Sequence, residues 1–105
     1  MKDPILEKFL SQARRQSLKL KTVYLFGSRA RGDERPDSDY DLLLVVDARF
    51  GPADKDKLYD AVMDVLLETG RLISLKIFKE SEFQRLKKLK TPFTRNVLRE
   101  GIKIE

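Results

Sequence analysis

The sequence predicts a small α/β (α+β) domain, a mixed sheet of three or more strands with helices packed on one face. Stretches with apolar residues at helical spacing alternate with short β-branched or alternating runs, the pattern of a sheet covered by helices. No internal repeat, linker or low-complexity tract interrupts that order. The 105 residues, 41% hydrophobic and 37% charged, suit one compact core, so residues 1–105 are expected to form a single domain.

Asp3-Pro4 has the composition of a helix opening, and Ile5, Leu6, Phe9, Leu10 and Ala13 then form one apolar stripe that ends near Ser17. Residues 22–26 are β-branched and aromatic, hence a short buried strand. Gly27-Ser28 breaks it, and residues 29–31 are expected to form one helical turn. Residues 33–38 are a loop by composition, with Pro36 excluding regular structure. Residues 39–46 return to strand, and the LLLVV run is apolar on both faces, as in a central strand. Phe50-Gly51-Pro52 forms a turn, and Asp54 is the expected cap of a third helix carrying Leu58, Ala61, Val62, Val65 and Leu66 as far as Gly70. Residues 72–78 alternate, with Ile73, Leu75 and Ile77 on one face and Ser74 and Lys76 on the other. Ser81 and Gln84 suit a capping box for a short basic helix. Thr91-Pro92 opens a last helix that ends at Gly101, and Ile102 and Ile104 suit a trailing extended segment. Helices on one face leave the other open, where Asp39, Asp41 and Ser74 would sit.

Composition removes several classes of chemistry. There is no cysteine, so no disulfide framework or zinc-thiolate site, and no histidine, so no histidine-based acid–base catalysis. No apolar run reaches the roughly 18 residues of a membrane span, and the N-terminus carries charges within its apolar stretch, unlike a secretory signal. The expected location is cytoplasmic. A net charge of +5 is compatible with nucleic acid, but the cations are dispersed apart from Arg85, Lys87, Lys88 and Lys90, which suit an exposed helix face equally.

The chemistry is concentrated between residues 23 and 47. In a strand, Asp39 and Asp41 would share a face with Cα atoms about 6.5 Å apart. Two carboxylates without nitrogen or sulfur partners favour magnesium or manganese over zinc. Tyr40 would point the other way, into the helical layer. Gly27 lets a backbone N–H approach a phosphate, the Ser28 hydroxyl adds a donor, and Arg29 or Arg31 adds charge. Either half alone is also ordinary turn or surface chemistry. Together, ten residues apart, they supply a phosphate cradle beside a metal-competent pair, as nucleotidyl transfer requires. Arg31, Arg35 and Asp33, between the halves, suit contact with nucleotide or acceptor, or a solvated ion-paired loop.

Gly27-Ser28, ten residues, then Asp39-Tyr40-Asp41 resembles the signature of the DNA polymerase β-like nucleotidyltransferase superfamily. The fuller text FGSRARGDERPDSDYDLLLVV resembles the minimal nucleotidyltransferase (MNT) group. The resemblance implies the nucleotidyltransferase fold, with Gly27 and Ser28 holding the phosphates of ATP or another nucleoside triphosphate and Asp39 and Asp41 binding two Mg2+ ions. It also implies a helical HEPN-type protein as partner in a toxin–antitoxin pair, in which the MNT protein is the antitoxin, in some cases by transferring AMP to the toxin.

One departure bears on activity. The superfamily usually supplies a third carboxylate from a later strand, yet residues 72–78 contain no Asp or Glu, and Ser74 occupies the expected position. Asp64, Glu68 or Glu80 would have to substitute, a partner or acceptor would complete the site, or catalysis would be weak. Two functions follow: a Mg2+-dependent nucleotidyltransferase, or a degenerate antitoxin of the same fold that acts by binding.

Overall fold

The structure, a computed structural model, describes residues 3–18, 20–32, 35 and 38–105. Asp33 and Pro36 of the expected loop lie outside the described residues. The elements run α1 (Pro4–Arg15), β1 (Leu20–Phe26), α2 (Ser28–Arg31), β2 (Tyr40–Val46), α3 (Pro52–Thr69), β3 (Ile73–Lys79), α4 (Glu80–Leu89), α5 (Pro92–Glu100) and β4 (Ile102–Lys103).

The sheet order is β3-β2-β1-β4. β1 pairs antiparallel with β2 and with β4, while β3 runs parallel to β2 after the α3 crossover. β2 is therefore central, which its sequence demands: Leu42, Leu43, Leu44 and Val46 are fully buried. Side chains alternate across a strand, so this unbroken apolar run needs cover on both faces. Burying each leucine contributes about 1.5–3 kcal/mol.

On the first face, α1 and α3 bring Phe9, Leu10, Leu58 and Val65 against Val23, Leu25, Leu42, Leu44 and Val46. On the second, Phe83 of α4 and Val97 of α5 cover Leu43 and Val45, with Tyr24, Phe26 and Phe78 beside them. The fold class is thus the mixed α/β sheet expected, but the second face is open only toward the start of β2. The alternation of Leu43 and Val45 with Leu42, Leu44 and Val46 explains why it must be.

Two helix starts differ from expectation. Gly51 rather than Asp54 caps α3, and the Asp54 carboxylate reaches back to accept the Gly51 N–H at 2.9 Å. At α4 the cap is Lys79, whose N–H donates to Glu82 at 2.9 Å, so Ser81 and Gln84 form no box. Both carboxylates sit three residues into their helix, where they also meet the positive end of the dipole. α1 and α5 start as their sequences indicate, capped by Asp3 and Thr91.

Asp3 also sets the position of β2. Its Oδ1 accepts the Ile5 N–H at 2.8 Å, and its Oδ2 accepts the Tyr40 hydroxyl at the same distance. The first residue of β2 is thereby tied to the N-terminus of α1. Tyr40 is buried in the helical layer, as the alternation predicts.

Candidate functional site

The turn after β1 is set by Gly27, whose φ of +77° and ψ of −157° suit glycine alone. The Gly27 carbonyl accepts the Ala30 and Arg31 N–H groups, each at 3.1 Å, which folds residues 28–31 into one helical turn. Four residues add little macrodipole, so any anion here depends on the local N–H groups and the Ser28 hydroxyl.

The antiparallel register opposes Phe26 to Asp41, so the turn directly adjoins the carboxylate. A Cβ on residue 27 would lie 2.5 Å from Asp41 Oδ2, and the carboxylate fills the space that glycine leaves. Asp39 precedes the strand rather than opening it, because β2 begins at Tyr40. It still lies close enough for its charge to act on Asp41. Burial, and then the negative charge of Asp39, raise the Asp41 pKa above the usual carboxylate value, while Lys76 and Arg31 partly offset the rise. A divalent cation would relieve that unfavourable burial and repulsion, and two carboxylates fit a hard cation by donor type.

The parallel register sets Ser74 beside Asp41. Ser74 therefore occupies the expected place of a third carboxylate, with Lys76 one pleat further along the same face. None of the proposed replacements reaches the site. Glu68 on α3 pairs with Lys8 of α1, and Asp64 lies on the exposed side of that helix, on the first face of the sheet. Glu80 pairs with Lys21 beyond Lys79, the partner of Val46 at the far end of β2. Among the described residues no three acidic side chains gather into a metal-ligand group.

The two arginines of the turn part company. Arg31 adds positive potential at Asp41, and its Nη1 lies 3.6 Å from Glu100 Oε2 at the end of α5. Arg29 lies over the Tyr40 ring at 4.0 Å, and its Nε donates to the Ser38 carbonyl at 3.0 Å. Tyr40 faces away from Asp41, so Arg29 sits behind β2 instead of beside the aspartates. Sequence inspection overlooked Lys76 as a neighbour of Asp41, although the alternation of residues 72–78 already put it on the open face. It also overlooked Arg71, whose field reaches Tyr40 from the α3–β3 connection.

The Gly27 turn thus adjoins the Asp41 carboxylate, with Asp39 just before β2. Residues 7–105 match the Polymerase beta, Nucleotidyltransferase family, and the chain belongs to it. The candidate protein adenylyltransferase MJ0604 of Methanocaldococcus jannaschii is 40% identical over 83 residues, which span 79% of this chain and 76% of that protein. Among solved structures, a toxin–antitoxin determined with AMP-PNP is similar with a TM-score of 0.60 at 15% identity, over 94% of this chain and 71% of that one. A mutant MntA-HpeT toxin–antitoxin has a TM-score of 0.58 at 13% identity over the same shares. At such identities these two structures establish a shared fold. Among the described residues, no helix is long and apolar enough to cross a membrane.

Proposed function

We propose that this chain transfers AMP from ATP to a hydroxyl of a protein partner. The observation that carries the reading is the contact of the Gly27 turn with the Asp41 carboxylate, which puts a phosphate-binding backbone against a cation-binding side chain. The 40% identity to a candidate protein adenylyltransferase supports adenylyl over other nucleotidyl groups and protein over other acceptors. The fold shared with toxin–antitoxin proteins supports a toxin as the partner, and the resemblance of the Gly27–Asp41 signature to the MNT group is what points to the helical HEPN type.

In this reading Gly27 and Ser28 hold the phosphates and Arg31 adds positive charge beside them. Asp39 and Asp41 would hold Mg2+, which supplies charge neutralisation for the pyrophosphate leaving group and orients the attacking hydroxyl. The acceptor oxygen bonds to the α-phosphorus, the bond from that phosphorus to the bridging oxygen breaks, and pyrophosphate leaves. The hydroxyl proton passes to solvent or to a base on the partner, since Ser74 is too weak a base to take it.

That last point favours a second reading, a degenerate antitoxin that neutralises its partner by contact. Ser74 beside Asp41, with no third acidic side chain gathered there among the described residues, is the observation behind it. Incubation with α-labelled ATP, Mg2+ and the adjacent gene's product separates the two. Label on that product, lost with Asp39→Asn, is the result expected of the enzyme. A stable complex without label would overturn transfer and leave the binding protein.

A further inference from the structure

A second basic site lies behind β2. A hollow of about 540 Å3 is lined by Arg29, Arg35 and Arg71, together with Asp3, Tyr40 and the start of α1. The three arginines come from α2, from the connection to β2 and from the connection between α3 and β3. Only tertiary folding brings them together, and among the described residues one carboxylate, that of Asp3, lines the hollow with them. That carboxylate is already engaged, since Asp3 accepts from Ile5 and Tyr40. Arg29 is held by the Ser38 carbonyl and the Tyr40 ring, and no ion pair within the described residues occupies Arg29, Arg35 or Arg71.

We infer that this hollow is an anion site for a free phosphate or oligophosphate, separate from the Asp39–Asp41 face. Three arginines lining one hollow give an anion a positive wall, and guanidinium groups bind phosphate oxygens in paired hydrogen bonds. A dianionic terminal phosphate matches that charge better than the single charge of a phosphodiester. Single-stranded nucleic acid is also disfavoured by the ring itself. Tyr40 is buried and its face is taken by Arg29, so it offers no platform on which a base could stack. The positive potential is felt at Tyr40, where Arg29 and Arg71 oppose the rise in pKa that burial and the bond to Asp3 produce.

The site is tested by titrating the intact protein with inorganic phosphate and with pyrophosphate, in the absence of metal, while following the arginine Nε–H signals by NMR. The expected result is a saturable shift of Arg29 and Arg71 with a Kd of about 1 mM or tighter. Arg71→Ala and Arg35→Ala should each weaken it about tenfold, the scale of one charge-assisted contact, and Asp41→Asn should leave it unchanged. Arg71→Lys, which keeps the charge but loses the fork, should fall between and guards against misfolding of the alanine variant. No saturation, an equal response to chloride at matched ionic strength, or shifts confined to the Gly27–Ser28 amides would each overturn the site. Tighter binding of a single-stranded RNA than of pyrophosphate by the same arginines would overturn the assignment of ligand.

Discussion

Asp41 lies in the space that a side chain on residue 27 would need, its Oδ2 2.5 Å from where the Cβ would stand. Glycine there answers two requirements, a φ of +77° and room for the carboxylate of Asp41, the strand partner of Phe26.

Gly27→Ala is therefore expected to cost about 1–3 kcal/mol, from left-handed strain and displacement of a half-buried carboxylate. Gly70→Ala is the control, with φ of +73° but no atom within 4 Å of the new Cβ. It should cost about 1 kcal/mol and leave the site intact. Urea denaturation compares the two, and thermal melting with and without MgCl2 or MnCl2 separates them further. A metal-dependent rise in Tm should survive in Gly70→Ala and vanish in Gly27→Ala.

The raised pKa of Asp41 gives stability a pH dependence of known sign. A carboxylate whose folded pKa exceeds its unfolded pKa favours the fold when protonated, so its contribution is full below the unfolded value. It is lost as pH rises through the folded value. Asp41→Asn should therefore raise Tm at pH 7 without metal by no more than a few degrees, given partial solvent screening. The gain should shrink as pH falls below the carboxylate range. A metal-dependent Tm rise should appear in the natural chain and not in the variant.

Asp3 and Tyr40 should prove energetically coupled. Tyr40→Phe removes the 2.8 Å bond and is expected to cost about 1 kcal/mol. Asp3→Ala removes that bond and the α1 cap and strands the hydroxyl, for about 2–3 kcal/mol. Because the bond is shared, the double variant should cost less than the sum, by about 0.5–1 kcal/mol in a denaturation cycle. Strict additivity would show that the two residues do not interact.

Much of this architecture was legible in the residues. Periodicity located the principal helices and strands, and the alternation around Tyr40 placed it opposite Asp41, because burial dictates both patterns. Helices on one face alone, the sequence expectation, leave half of the LLLVV run uncovered, and the second cover depends on how residues 80–100 return across the sheet. The caps at Gly51 and Lys79 went unread because each relies on a carboxylate three residues later rather than on its own side chain. Arg29 and Arg31, two residues apart, look equivalent in the text. In a single helical turn they diverge by about 200°, and one goes to each side of β2. The basic hollow was invisible for a different reason: Arg29, Arg35 and Arg71 meet only in three dimensions.

Ser74 gives the most direct test of what the site lacks. It pairs with Asp41 across a parallel ladder, and its side chain shares the open face with Lys76. Ser74→Asp would supply a third carboxylate on a rigid strand, next to one whose charge is already disfavoured by burial and by Asp39. Without metal, the added repulsion should lower Tm at pH 7 and spare it at acidic pH, where the carboxylates are protonated. With Mn2+ or Mg2+ the order should reverse, because a further oxygen ligand outweighs repulsion that the cation neutralises. An affinity gain of about tenfold by calorimetry is the expected scale. If the substituted chain also transfers label from α-labelled ATP faster than the natural one, the missing carboxylate limits the chemistry. If metal affinity rises and transfer does not, the limit lies in the acceptor or its partner, and Ser74 is a tolerated substitution. If neither changes, residue 74 does not face the cation and the geometry assigned to this site is wrong.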